Sequence, residues 1–291
     1  MNQSDSISSH EQSSGKLFVV ATPIGNMEDI TLRALRVLGD VHLIAAEDTR
    51  HTGKFLKHHK IVSRLVSCHE HNEAQRSEEL IEKMKAGHDI ALVSNAGTPA
   101  LSDPGYRLIQ KSIAENIEIV PVPGVSSAIA ALCVSGLPSD AFVFIGFVSK
   151  KEGKRRKLLK ELEKESRTLI FFESPHRLLN LVEDLLLIMG ERRAVLAREI
   201  TKLHEEFIRG NLSQLKSRIK LKGKIKGECT LLIEGNLSQR EVVSEHEIQK
   251  AIMDVMDESG EKLSGAVKKI ADQLSISKKK VYEQALKLKK E

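Results

Sequence analysis

Six short stretches of this sequence gather residue types that can do chemistry. EDTR carries Glu47, Asp48 and Arg50, and SCHEHN carries His69, His71 and Asn72. SNAGTPALSDPG (94–105) supplies Asn95, Ala96, Gly97, Thr98 and Pro99, and PVPGVSSA (121–128) supplies Ser126 and Ser127. ESPHR (173–177) brings His176 and Arg177, and REITK (198–202) brings Arg198 and Lys202. Carboxylates and imidazoles gathered at one crevice can orient a reactant and accept its proton, and a histidine with its usual pKa of about 6.5 is a ready base at neutral pH. Glu47, Asp48, His69 and His71 are all candidates for that task, with Glu47 and Asp48 also suited to orienting and Arg50 to a phosphate or carboxylate. Glycines and short hydroxyls let a backbone come close to a small ligand. The glycine-rich loops are neither P-loops, since no Gly-Lys-Ser/Thr follows, nor dinucleotide fingerprints, since GxGxxG is missing. Two alternating histidines beside Cys68 lack the spacing of a zinc site, so no metal is expected.

These stretches follow short apolar runs. From Lys16 onward β-branched runs alternate with amphipathic ones: LFVVA (17–21), TLRALRVL (31–38), VHLIAA (41–46), IALVS (90–94), a helix from about Pro104, IEIVPV (117–122) and a helix from about Val125. The alternation predicts a mostly parallel sheet covered by helices on both faces. In such a sheet the strand ends that feed helices open toward one crevice, where ligands bind. Pro23 and Gly25 force a turn after the first strand, and Asp103 reads as the cap of a helix that Pro104 opens. The twelve residues 94–105 exceed what a bare strand-to-helix connection needs, which favours a ligand loop.

The turn residues GLPSD (136–140) end the first series and predict a domain over 16–136. A second domain over 140–236 holds FVFIGF (142–147), TLIFFE (168–173), AVLARE (194–199) and ECTLLIEG (228–235), with helices at 154–165 and 175–189 and a hairpin strand EEFIRG (205–210). Ala141, Phe142 and Gly146, Phe147 and Val148 could form an apolar side of a pocket. Three amphipathic helical stretches fill 244–291, the last two spaced like a helix-turn-helix around an SIS turn at 275–277.

Composition bounds the function. The 291 residues carry 45 Lys+Arg against 40 Asp+Glu, a net charge of +5, which is compatible with a polyanionic partner. The surplus is clustered: SKKEGKRRKLLK (149–160) includes Lys154, Arg155 and Arg156, KSRIKLKGKIK spans 216–226, and the C-terminal residues add six lysines. Such runs suit RNA phosphates. At 3% aromatic residues, recognition by rows of stacked bases is disfavoured. Three scattered cysteines argue against a disulfide framework and for a reducing, cytosolic setting. Residues 1–15, with six serines and no apolar run, read as a disordered tail, and no stretch approaches the roughly 20 apolar residues of a membrane span.

TPIGNMEDITLRA, EDTR, HEHN, SNAGTPALSDPGY, PGVSSAIAAL, GFV, ESPHR and REITKLHEE, in this order over residues 16–236, resemble the ribosomal RNA small subunit methyltransferase I family of the tetrapyrrole methylase superfamily. The helical tail also resembles that family's C-terminal extension. The resemblance implies two α/β domains with S-adenosylmethionine in the cleft between them, a homodimer, and 2′-O-methylation of a cytidine ribose in small-subunit (16S) ribosomal RNA, free or within the 30S subunit. Pro23, Gly25, residues 95–99, Ser126, Ser127, Gly146 and Phe147 would then contact the cofactor. Asn72, Lys154, Arg155, Arg156, His176, Arg177, Arg198 and Lys202 would contact RNA. This chain departs from the family at Asn95, where Asp is common, and at Ser149, where Pro is common. Asn keeps a carbonyl acceptor and loses the charge. Two other readings compete, a methylase of porphyrin-type substrates and a non-enzymatic nucleic-acid-binding regulator. The basic clusters with EDTR and ESPHR count against the first, and the elaborate two-domain body against the second.

Overall fold

The computed structural model describes residues 14–237, 245–259, 263–274 and 277–288, so residues 1–13 of the expected tail lie outside the described residues. The chain divides into two compact units at Asn236. The first unit holds two five-stranded sheets.

The first sheet is built from β1 (Leu17–Val20), β2 (Leu43–Ala46), β3 (Leu65–Ser67), β4 (Ile90–Val93) and β5 (Ile119–Val122), in the order β3-β2-β4-β1-β5. Every pairing in it is parallel. Successive side chains on a strand point to opposite faces. Ile44 and Ala46 therefore join Leu38, Phe55 and Val93 in one core, while Leu43 and Ala45 join Leu80, Met84 and Leu108 in another. Burial on both faces explains why the strands read as unbroken apolar runs. The covering helices are α1 (Leu32–Asp40), α2 (Thr49–His58), α3 (Glu73–Lys85) and α4 (Tyr106–Ala114). Thr31 caps α1, its hydroxyl accepting from the Ala34 N–H at 3.1 Å.

The second sheet is mixed. It contains β6 (Phe142–Phe147), β7 (Thr168–Glu173), β8 (Arg193–Arg198), β9 (Glu206–Asn211) and β10 (Cys229–Ile233), in the order β6-β7-β10-β8-β9. Only β6 and β7 run parallel; β10 is antiparallel to both its neighbours, and β8 and β9 form the expected hairpin. Leu169, Phe171, Leu196 and Leu231 face α7 (Leu178–Met189) and α8 (Leu212–Lys222), and α6 (Glu152–Glu161) adds Leu159. The opposite face receives α5 (Ser127–Ser135), whose Ala128, Ala131 and Leu132 pack on Ile170, Val195, Ala197 and Leu232. Because α5 follows the last strand of the first sheet, it fastens one α/β half to the other and fixes the crevice between them.

The second unit is a bundle of α9 (Glu245–Ser259), α10 (Leu263–Gln273) and α11 (Lys278–Leu288) around Ile248, Ile252, Ile270 and Val281. Ser275 and Ile276 of the expected turn lie outside the described residues. Among the described residues no helix is long and apolar enough to cross a membrane.

Candidate active site

In an all-parallel sheet the loops that leave the strand ends emerge together, and here they are tied to one another. Thr22, after β1, and Gly97, after β4, exchange two backbone hydrogen bonds of 2.9 Å. The Thr98 hydroxyl donates to the Val125 carbonyl at 3.1 Å, and the Asn95 N–H donates to Glu47 Oε2 at 3.1 Å. Four strand ends thus share one hydrogen-bonded rim. Within it Ala100 and Ser102 hold φ of 66° and 65°, backbone that non-glycine residues adopt only when the surroundings impose it.

The helix after this loop begins later than Pro104. It starts at Tyr106, with Gly105 as a cap residue that has no side chain to offer. Glu73 of α3, a buried carboxylate, supplies the missing acceptor: its Oε1 takes the N–H groups of Gly105 (3.0 Å), Arg107 (2.7 Å) and Leu108 (3.4 Å). Asp103 is left to line the crevice.

The crevice is a cavity of about 560 Å³ between the two sheets. Its apolar wall comes from the second sheet, where four of the eight phenylalanines in the sequence, Phe142, Phe144, Phe147 and Phe172, line it. Phe144 and Phe147 meet Phe172 edge-on with centroids 4.9 and 5.7 Å apart. The bulge between Phe144 and Gly146 turns this aromatic row. Gly146 has φ 69°, and a Cβ there would collide with the Ser102 hydroxyl, so glycine lets the second sheet approach the strained loop.

The polar side of the cavity is acidic. Glu47, Asp103, Glu173 and Glu228 line it, and among the described residues no lysine, arginine or histidine does. Burial pushes the Asp103 carboxyl up to about 6, the charge of Glu47 adds to the shift, and a hydrogen bond with Ser94 opposes it. Asn95 Oδ1 is buried without a hydrogen-bond partner among the described residues. A second cavity of about 370 Å³ shares Ile24, Asn95, Ala96 and Glu228 with the first and adds Pro23, Gly25, Asp48, His51 and Lys202. Lys202 reaches Glu199 and Glu228, both at 2.9 Å, and lies so close to Gly25 that a Cβ there would strike its stem. The loop that carries it is strained, with φ of 52° at Glu199 and 65° at Thr201, and Thr201 Oγ1 accepts the Asn26 N–H at 2.9 Å.

Residues 16–216 match the family described as Tetrapyrrole (Corrin/Porphyrin) Methylases. The chain is 49% identical over 222 residues to the Ribosomal RNA small subunit methyltransferase I of Halalkalibacterium halodurans, covering 76% of each. It is 44% identical over 276 residues to the protein of the same name from Synechocystis, covering 94% of this chain and 98% of that one. The chain belongs to the ribosomal RNA small subunit methyltransferase I family of tetrapyrrole methylases. Among solved structures, the uroporphyrin-III C-methyl transferase of Thermus thermophilus complexed with S-adenyl homocysteine has the same fold at TM-score 0.54 and 17% identity, over 77% of this chain and 99% of that one.

Against this family background the candidate residues separate into groups. Glu47, Asn95, Ala96, Gly97, Thr98, Ser126, Ser127 and Phe147 line the first cavity, and Pro23, Gly25, Asp48 and Lys202 the second. Pro99 and Gly146 line neither cavity, Gly146 lying against the lining residue Ser102. Asp48 caps α2 through the N–H of Arg50 at 2.8 Å, and the Arg50 side chain holds its carboxyl down to about 2, which makes it a poor base. His69 and His71 line neither cavity, and Asn72 is occupied in the turn before α3, accepting the His69 N–H at 2.8 Å and donating to the Ser67 hydroxyl at 3.0 Å.

The basic candidates divide the same way. Arg155 is buried and Arg156 half-exposed, and both grip Asp184, at 2.6 and 2.7 Å, so Arg155 serves an internal ion cluster and corrects the expectation of an RNA contact. Lys154 and His176 are exposed. Arg177 pairs with Glu173 at 3.0 Å and donates to the Val148 carbonyl; α7 begins after it, at Leu178, later than the sequence suggests. Arg198 pairs with Glu206 at 3.2 Å. Asp103, Phe144, Phe172, Glu173 and Glu228 also line the site without having been singled out for it.

Proposed function

We propose that this chain is an S-adenosylmethionine-dependent methyltransferase that methylates the ribose 2′-hydroxyl of a cytidine in small-subunit ribosomal RNA. The names of relatives 44–49% identical to it supply the RNA. The observation that carries the cofactor assignment is the crevice: an acidic, phenylalanine-walled cavity that shares Ile24, Asn95, Ala96 and Glu228 with a second, more polar one.

The residues present fit the cofactor. An adenine ring suits the phenylalanine wall, and the unpartnered Asn95 Oδ1 is an acceptor awaiting a donor such as an ammonium or hydroxyl. Four carboxylates suit a cationic ligand. Asn95 thus keeps the acceptor role while this chain draws its negative potential from Glu47, Asp103, Glu173 and Glu228. When bound, S-adenosylmethionine supplies an already activated methyl on a sulfonium. The protein has then to align the acceptor, exclude water and receive a proton. The second cavity seats the acceptor nucleotide beside the shared wall of Asn95, Ala96 and Glu228, with Lys202 at its edge. Exposed Lys154 and His176 and the basic stretch at 216–226 hold phosphates. We further propose a homodimer that works in the cytoplasm on free RNA or on the 30S subunit.

The test compares small-subunit ribosomal RNA from cells with and without the gene. One internucleotide bond next to a cytidine should resist alkali only when the gene is present; identical ladders would refute the reading. Calorimetric titration with S-adenosylmethionine separates an enzyme from a nucleic-acid-binding regulator, which would give no heat.

A further inference from the structure

The motif EDTR stops one residue short of His51, and among the described residues that is the only histidine lining either cavity. His51 lies in the first turn of α2, whose start is tied to the wall that the two cavities share. Glu47, at the end of β2, accepts the Asn95 N–H, and Asp48, the cap of α2, accepts the N–H groups of Arg50 and His51. The second cavity thus has His51 on the side of the first sheet and Lys202 and Glu228 on the side of the second.

Four titratable side chains line this cavity, Asp48, His51, Lys202 and Glu228, and three of them are engaged. The Arg50 guanidinium takes both carboxylate oxygens of Asp48, at 3.3 and 3.0 Å. Lys202 is an ammonium with no lone pair to offer, bound to Glu199 and Glu228 at 2.9 Å. Glu228 would have to give up that ion pair to take a proton. The Thr22 and Ser94 hydroxyls on the same walls donate to the carbonyls of Ser94 and Ala96. The His51 ring has no hydrogen bond or ion pair among the described residues, and it is exposed, open to a large substrate. A neutral imidazole keeps one unshared pair on a ring nitrogen. At about 370 Å³ the cavity is small, so a nucleotide seated in it has its ribose close to the groups on the walls, as a proton acceptor requires.

We propose that His51 is a catalytic residue that accepts the proton of the ribose hydroxyl being methylated. This rests on the functional reading above, which seats the acceptor nucleotide in this cavity. The ribose oxygen attacks the methyl carbon, and the O–C bond forms as the C–S bond breaks with its electron pair left on sulfur. The hydroxyl proton goes to the free ring nitrogen of His51 and later to water. Positive charge therefore moves from the sulfonium to an imidazolium, and Asp48 and Glu228 on the walls of the same cavity suit it there.

Single-turnover methylation of small-subunit ribosomal RNA by the full-length protein and its variants tests this. His51→Ala should lower the rate at saturating RNA by roughly 100-fold or more, with the affinities for S-adenosylmethionine and for RNA within about threefold of wild type. His51→Gln keeps a polar side chain that can hold a hydroxyl but takes up no proton, so it should be as slow. Added imidazole should restore part of the rate in His51→Ala and leave wild type unchanged. Among substituted imidazoles the restored rate should rise with basicity, which a group that only positions the ribose would not produce. A rate within roughly tenfold of wild type in either variant, RNA binding weakened with the saturated rate intact, or no response to imidazole would overturn the proposal. Wild-type protein that transfers no methyl to RNA would instead refute the functional reading, and this proposal with it. If His51→Ala does not fold, the rate of His51→Gln decides.

Discussion

Replacing Glu73 by alanine removes the one side chain that, among the described residues, closes the start of α4. Its Oε1 accepts two short backbone bonds, 3.0 Å from Gly105 and 2.7 Å from Arg107, and a longer one from Leu108. Hydrogen bonds to charged groups are worth about 1.5–3 kcal/mol each in mutational series, whereas loss of an ordinary helix cap costs about 0.5–2 kcal/mol. Because one oxygen serves all three donors, the terms do not add fully, and a loss of about 3–4 kcal/mol is expected for alanine. Glutamine keeps an acceptor oxygen and loses the charge at the positive helix end, a loss of about 1–2 kcal/mol. Urea unfolding reads the global change, and hydrogen exchange reads the place: the amides of Arg107 and Leu108 should exchange roughly 100-fold faster or more in the alanine variant. Since the loop carrying Asn95 to Asp103 ends at this cap, the KM for S-adenosylmethionine should rise as well. An alanine variant with wild-type stability and unchanged exchange at 105–108 would refute the capping account.

Asp184→Ala strands the buried Arg155 and its neighbour Arg156 and should cost about 3–5 kcal/mol in urea unfolding; a loss below about 1 kcal/mol would mean that the arginines find water. Gly146→Ala meets both a left-handed backbone and the Ser102 hydroxyl. It should cost about 1–3 kcal/mol and weaken S-adenosylmethionine binding measured by calorimetry, because the loop carrying Asp103 must move. Burial pushes the Cys68 thiol up to about 11 and Cys229 up to about 12, while Cys133 is exposed. A thiol-specific reagent at pH 8 should therefore titrate one of the three cysteines in the native protein and all three in denaturant; rapid native reaction of all three would contradict the burial.

The first sheet was legible because both of its faces are covered, so VHLIAA and IALVS stand out as apolar runs with loop chemistry at their ends. The rule that ligands gather at strand ends picked out the loops after β1, β2, β4 and β5, which line the two cavities, and also the loop after β3, whose His69 and His71 line neither. It missed residues 227–230, because β10 runs antiparallel and brings its beginning, at Cys229, opposite Glu173 at the end of β7. Strand direction in a mixed sheet is a tertiary property that no local pattern records. Asp103 was misread for a related reason: a local Asp-Pro pair looks like a cap, and the acceptor that displaces it comes from α3, thirty residues away in sequence. The overall scarcity of aromatics concealed their placement, with half of the phenylalanines on one wall. The basic runs were visible as composition, but Asp184 neutralises part of the first, and Glu183 pairs with Lys216 and Lys220 of the second. A charge run does not show which of its members face water.

The most direct test of the account is the position of the transferred methyl. Purified full-length protein, S-adenosylmethionine labelled in the methyl group and unmodified small-subunit ribosomal RNA, given both as free RNA and as 30S subunits, are incubated and the RNA is digested to nucleosides. The account predicts label in 2′-O-methylcytidine and in no other nucleoside. Label on a base carbon or nitrogen, or transfer to a porphyrin with none to RNA, would contradict it.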